Sequence, residues 1–392
     1  MKHKTDLART ILSLALMATG VYFLIAPHVR IDSGSLASAA ELRAAANLAQ
    51  ASAAMPAFEN AKVESQSLAG ALSEAISKWA SSVSEAQWLG YSVPAVYGER
   101  TICCGGNDWN SSNCATCRLE ERRGGTNVTH TSPGKVELEG PGKLVVLFRA
   151  EQGKLGKIRV ASENCVLDAG GLHVNWLTEV NPAQSVEYLS SFVRGKFVED
   201  HFPEGLAHGA LTAIAMHGDA SADKSLNSFV DSSQPESLRK QTVFWFGEAR
   251  GASGFQTLKQ LARTDKSSEV RAQITFALSI SREAGAIDEM IRMAKEDEST
   301  HVRGQALFWV AQKAGQRAAS TISGAIENDP DTEVKKKAVF ALTQMPNNEG
   351  VPKLIQVAET NKNAEVRKQA MFWLGQSQDP RALEFFEKIL TR

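Results

Sequence analysis

What the chain lacks narrows its function before any motif is found. No long run of Lys and Arg occurs in its 392 residues, and the formal net charge is −1. The electrostatic footprint of a nucleic-acid binder is therefore missing, and no nucleic-acid partner is expected. There is no nucleophile elbow, no Gly-rich phosphate loop and no HExxH, so the commonest signatures of acyl transfer, nucleotide binding and zinc hydrolysis are absent. His201, His208 and His217 are spaced by 7 and 9 residues, which does not make a tight helical ligand pair. What remains is an ordinary globular composition, 43% hydrophobic and 22% charged. The length suffices for two or three domains, each with a core.

The N-terminus departs from that composition. Lys2, Lys4 and Arg9 precede the uncharged run ILSLALMATGVYFLIAP at 11–27, about the length at which signal-peptide cores and short spanning helices overlap. Positive charge before the run places the N-terminus inside and the remainder on the exported side. The small-residue triplet ASA at 37–39 lies more than ten residues past the run, which favours an uncleaved anchor over a removed signal peptide. No Cys follows the run, so lipoprotein processing is not supported. The chain is thus expected in the cell envelope, in the periplasm, held to the membrane by 11–27 or secreted after cleavage.

Residues 31–87 are rich in Ala, Ser, Glu and Gln. These are helix formers with few large apolar side chains, and they predict a helical stalk. From 88 to 200 the texture changes to Gly, Pro, Cys and short β-rich runs. KLVVLFRAEQGKLGKIRVASENCVLD reads as two strands around a Gly-containing turn, GLHVNWLTEV as a further strand and AQSVEYLSSFVRG as a helix. This predicts a small α+β domain.

The remaining chain, 206–392, repeats itself. Leu238, Val270, Val302, Val334 and Val366 recur at a constant step of 32 residues, and one step back lands on Leu206 in a weaker sixth copy. Counting this residue as position 0, apolar or small residues at positions 0, 4 and 8 share one face of a first helix, as in Val366, Ala370 and Leu374. A second helix is marked at position 20 by Leu226, Leu258, Met290, Ile322, Leu354 and Phe386. Two such helices cannot bury their stripes alone, so the units must stack into a solenoid.

The unit xDxxxxVRxxAxxxLG, carried by Asp265 with VRAQITFALS, Asp297 with VRGQALFWVA and Asp329 with VKKKAVFALT, resembles the HEAT repeat, most closely the short bacterial phycobilisome-lyase type. The resemblance implies an α-solenoid used as a scaffold or adaptor, and only by family analogy a bilin-lyase-like activity. In such repeats the basic residue at position 1, here Arg239, Arg271, Arg303, Lys335 and Arg367, pairs with the Asp five residues before position 0. Asp265, Asp297 and Asp329 are available for a structural ladder, while Asn361 departs from the pattern.

Within the units an aromatic phrase recurs as RKQTVFWFG, RGQALFWVA and RKQAMFWLG. Position 7 alternates through Ala213, Trp245, Ala277, Trp309, Ala341 and Trp373. At 100° per residue this position lies beside the buried face, where large-against-small packing between units is expected. Position 6 holds Phe244, Phe276, Phe308, Phe340 and Phe372, well round the helix, on a flank shared with Gln241, Gln273, Gln305 and Gln369 at position 3. That Phe and Gln ladder is the candidate partner surface, set against the plainer reading in which the rings fill the gap between neighbouring helices.

Five cysteines are present: Cys103, Cys104, Cys114, Cys117 and Cys165. In an exported domain they are disulfide candidates. A zinc site and a redox centre at Cys114 and Cys117 stay open as alternatives. The whole is expected to be mainly α, with six two-helix repeats after a small α+β domain and an N-terminal membrane or signal helix. The expected function is a non-enzymatic scaffold binding a protein partner, without catalytic residues, metal or cofactor. Self-association through the C-terminal repeat is a further expectation, and a thiol–disulfide enzyme is the alternative.

Overall fold

The computed structural model describes residues 55–96, 116–120, 142–163, 165–194 and 205–391. The chain divides into two compact units, Met1–Asn47 and Leu48–Arg392, and everything described belongs to the second. The expected membrane or signal segment at 11–27, together with Cys103, Cys104 and Cys114, lies outside the described residues. No described helix is long and apolar enough to cross a membrane.

The first part is a sheet covered on both faces. Its elements are β1 (Phe58–Glu59), β2 (Lys62–Ser67), α1 (Leu72–Ser82), β3 (Gln87–Pro94), β4 (Thr116–Arg118), β5 (Lys143–Glu151), β6 (Lys154–Ser162), β7 (Val166–Asp168), β8 (His173–Thr178) and α2 (Pro182–Val193). Five strands form the order β2-β8-β3-β5-β6, parallel from β2 to β3 and antiparallel from β3 to β6. The short parallel ribbon β1-β7-β4 is a second sheet. Side-chain alternation along β5 serves both faces. Leu144, Val146 and Phe148 meet the helices, while Val145 and Leu147 join Trp88, Leu119, Leu167 and Trp176 in a core shared with the ribbon. Gly90 opens room for Trp176: a Cβ there would sit 2.8 Å from the indole and 2.7 Å from Leu147.

The hairpin, the further strand and the helix read from 143–193 are present. Residues 58–82, expected within the helical stalk, instead supply β1, β2 and α1. β2 is an edge strand, paired with β8 and mostly exposed, so its sequence KVESQS needs little apolar content. The helix α1 buries Leu72, Ile76 and Ala80 at i, i+4 and i+8. Neither element carries the hydrophobicity that would distinguish it from a stalk.

The second part is six helix pairs. They are α3 (Leu206–Met216) with α4 (Ala220–Phe229), α5 (Glu236–Ala249) with α6 (Gly251–Thr264), and α7 (Ser268–Ile280) with α8 (Ala286–Glu296). Then follow α9 (Thr300–Lys313) with α10 (Gln316–Asn328), α11 (Thr332–Thr343) with α12 (Val351–Thr360), and α13 (Ala364–Gln376) with α14 (Pro380–Leu390). The stripe at positions 0, 4 and 8 is buried in the units from Leu238 onward, as in Val302, Ala306 and Val310, all 0% exposed. So are the position-20 residues from Leu226 to Leu354. N-caps recur at the first helices: Ser267, Asp331 and Asn363 each accept from the backbone N–H groups two and three residues later.

Sheet and array are fused rather than linked. The core that contains Leu72, Tyr91 and Phe148 continues without a break to Leu374 and Phe385. The end of β3 runs on into the turn after α3: Val96 N–H donates to the Met216 carbonyl at 2.8 Å and Gly218 N–H to the Pro94 carbonyl at 2.7 Å. Helix α3 also lies close on β6, where a Cβ on Gly209 would stand 2.3 Å from the Ile158 carbonyl oxygen.

Candidate functional site

The ridge formed by the first helices α5, α7, α9, α11 and α13 carries two ladders with different chemistry. The first is ionic. Arg271 donates through Nε and Nη2 to the two carboxylate oxygens of Asp297, at 2.9 and 3.1 Å, and Arg303 does the same to Asp329 at 2.8 and 3.0 Å. Arg239 donates to Asp265. These bidentate pairs are buried, and planar guanidinium geometry suits them.

Here the structure corrects the expected pairing. The carboxylate that each Arg takes belongs to the next unit, 26 residues on, not to its own. From its own unit Arg271 takes only the Asp265 backbone carbonyl, at 2.8 Å, and Arg303 those of Asp297, at 2.9 Å, and Glu298, at 3.3 Å. The reason is that the Asp side chain is already committed to a turn. Asp265, Asp297 and Asp329 each accept from the backbone N–H two residues later, which leaves the second oxygen facing the preceding helix. Asn361 keeps that turn bond, from Asn363 N–H at 2.9 Å, but offers no charge. The residue facing it in the ladder is Lys335 rather than Arg, and its Nζ turns to the Glu327 carbonyl. Arg and Asp are thus lost together at one rung. The partner hydrogen bond raises the affinity of Arg271 and Arg303 for their protons, against the opposing effect of burial.

The second ladder is aromatic. Phe244 meets Trp245 edge-on at 5.0 Å and stacks on Phe276 at 6.0 Å. Phe276 meets Trp309 at 5.0 Å, Trp309 meets Phe308 at 4.9 Å, and Phe308 stacks on Phe340 at 6.2 Å. Phe340 then reaches Trp373, and Trp373 meets Phe372, each at 5.0 Å. Eight rings form one chain across five units, within the 4.5–7 Å range of favourable ring pairs. The Trp therefore bridges to the Phe of the unit before it, a contact that the alternation with Ala permits but does not announce. Phe244, Phe276, Phe308 and Phe340 are half-buried between neighbouring helices, while Phe372 is 54% exposed. Gln241, Gln273 and Gln369 beside the rings are half-buried and Gln305 is exposed.

The other expected sites are dispersed. Cys117 is the central residue of β4, opposite Leu167 of β7, so the second cysteine of CATC lies in a strand, not at a helix start. Cys165 is buried in the core with Trp88 and Leu167. Among the described residues no group of three or more His, Cys, Asp and Glu could hold a metal. The junction of sheet and array holds a buried histidine that spacing along the sequence does not announce. His217 there is fully buried, its Nδ1 accepts from Asp219 N–H at 3.2 Å, and its Nε2 is buried without a hydrogen-bond partner. Burial pushes its pKa down to about 4, opposed by the Asp219 carboxylate and reinforced by the Arg250 guanidinium. Arg250 itself ties α3 to the second unit through the Ala215 and His217 carbonyls and Asp223. Five of the six exposed large apolar side chains among the described residues, Met371, Phe372, Leu383, Ile389 and Leu390, lie on the last unit.

A family model for HEAT repeats matches residues 320–392. No curated protein matches the chain. Among solved structures, the chain is similar to the Escherichia coli protein YibA at 19% identity, covering 54% of this chain and 79% of that one with a TM-score of 0.35. It is similar to human deoxyhypusine hydroxylase in complex with glycerol at 16% identity, covering 54% and 80% with a TM-score of 0.28. It is also similar to the CpcE–CpcF complex of phycocyanin lyase from a Nostoc species at 15% identity, covering 50% and 77% with a TM-score of 0.28. The family model thus places HEAT repeats from α10 to α14, and the first helices α5, α7 and α9 before them repeat the same Arg and Asp signature.

Proposed function

We propose that the protein is a non-enzymatic scaffold or adaptor of the bacterial cell envelope that binds a protein partner along the first-helix ridge of its array. The observation that carries this reading is the chain of eight rings, six of them half-buried and Phe372 exposed, with uncharged amides beside it. It is a long surface of aromatic edges, and aromatic anchors dominate protein interfaces. Placement on the exported side, with 11–27 as the anchor, rests on the basic residues before that apolar run. A photoreactive residue in place of Gln305 should crosslink a discrete partner in cells, whereas one in place of Gln356 on α12, also exposed, should not. Equal capture from both positions would remove the ridge as the binding surface.

The exposed apolar side chains of the last unit favour one additional contact, self-association through α13 and α14. Sedimentation at rising concentration should then show a dimer that Leu383→Glu abolishes. A monomer at all concentrations would refute it.

A further inference from the structure

The outward face of the last described unit is built from positions that the other units bury. Position 5 is 0% exposed at Val243, Thr275, Leu307 and Val339, and 38% exposed at Met371. Position 24 is at most 5% exposed in the five units from Val230 to Ala358, and 84% exposed at Leu390. The ionic ladder is open at the same place. Arg367 is held as Arg303 is, its Nη1 donating to the Asn361 and Lys362 carbonyls at 2.7 and 3.1 Å, but its Nε and Nη2 meet no carboxylate among the described residues. The face is an inter-unit contact with one side supplied.

Its residues are spaced to meet their own copies. Arg367, Met371 and Gly375 follow one line along α13, and Leu383 and Leu390 one line along α14, at helical spacings of four and seven. Met371 lies five residues before the end of α13, and the midpoint of Leu383 and Leu390 lies six to seven after the start of α14. At about 1.5 Å per residue these levels agree within about 2 Å, so one twofold axis can cross both helices. With the copies antiparallel about that axis, Met371 meets itself and Leu383 meets Leu390. Arg367 then reaches the carboxyl end of α13 in the other copy, where the last carbonyls lack intrahelical partners and the helix dipole is negative. Gly375 leaves that backbone bare: a Cβ there would have only Phe386 near it, at 4.0 Å. Exposed Glu384 falls beside exposed Lys388 of the other copy, and the symmetry makes that ion pair twice.

We propose that two copies of the chain dock about this axis, α13 on α13 and α14 on α14, each pair antiparallel. The proposal rests on the self-association reading above and adds which residues mate. A contact of this symmetry closes at two copies, so no filament grows from the open face.

The test exchanges charges across the axis in the full-length chain. Glu384→Lys alone opposes two cations at each pair, and Lys388→Glu alone opposes two acids. Each variant is expected to dimerise about tenfold more weakly than the parent in sedimentation. An equimolar mixture of the two variants restores opposite charges at both pairs and is expected to recover dimer to about the parent's level. Both positions are exposed, so circular dichroism of each variant should match the parent. If the parent dimerises and Leu383→Glu breaks the dimer, but the single exchanges do not weaken it or mixing brings no recovery, the mating geometry is overturned and self-association stands. If the parent is monomeric at all concentrations, both fall.

Discussion

The sheet and the array share one core, yet they are held together in different ways. In the sheet each contact is made once. Trp176 reaches its place because Gly90 leaves space, and β2 and β3 flank β8 after long excursions of the chain. In the array the same few contacts are made again and again between neighbours, so stability is divided into nearly equal interfaces. A single change should therefore act globally in the first region and locally in the second.

The strongest break in this comparison is Trp176→Ala. The side chain is 1% exposed and its hole has Gly90 on one side, so collapse cannot fill it. A loss of about 4–5 kcal/mol is expected, read by denaturant unfolding as a lowered midpoint for sheet and array together. Asp297→Ala comes next. It strands the buried Arg271 guanidinium and removes a turn bond, costing about 3 kcal/mol. Hydrogen exchange should show that loss concentrated in α7 to α10, and uniform loss across the chain would contradict the division into local interfaces.

The junction tests whether the two regions are coupled. His217 is neutral when folded, with a pKa depressed to about 4, whereas the unfolded group titrates near 6.5. On acidification from about 6.5 toward 4 the unfolded state takes up the proton first, so stability falls with pH over that window, by at most about 3 kcal/mol. Unfolding curves at pH 7 and pH 4.5 should show a smaller difference for His217→Asn than for the parent. The smallest effects fall on the ridge. Phe308→Ala should cost about 1–2 kcal/mol because the ring is half-buried, whereas Gln305→Ala should stay within about 0.5 kcal/mol. That contrast in a melting experiment separates the packing share of the ridge from its open share.

How much of this was legible in the sequence follows the same division. The helix pairs could be read residue by residue, since Val302, Ala306 and Val310 repeat a pattern set by helix geometry and stated in every unit. The ring chain was only half legible. The Phe and Trp positions were visible, but that Trp309 lies against Phe276 depends on how adjacent helices are offset, which no single helix encodes. The direction of the Arg pairs was hidden for the same reason, although the paired change to Lys335 and Asn361 at a spacing of 26 is a signal that was present. In the first part, β2 read as helix and α1 as part of a stalk, because an edge strand and a one-faced helix carry few apolar residues. His217 offered no local clue at all, since its burial is created by β3 from another part of the chain.

The alternation at position 7 has a consequence for how such an array grows or shrinks. Removing one unit of 32 residues would leave every Arg facing a carboxylate or its equivalent, because that ladder has the period of a single unit. The ring chain has twice that period. Loss of one unit would bring two Trp-bearing or two Ala-bearing helices side by side, with a ring to spare or a hole to fill. A step of 64 residues keeps both ladders in register, so the structural building block is a pair of repeats rather than one.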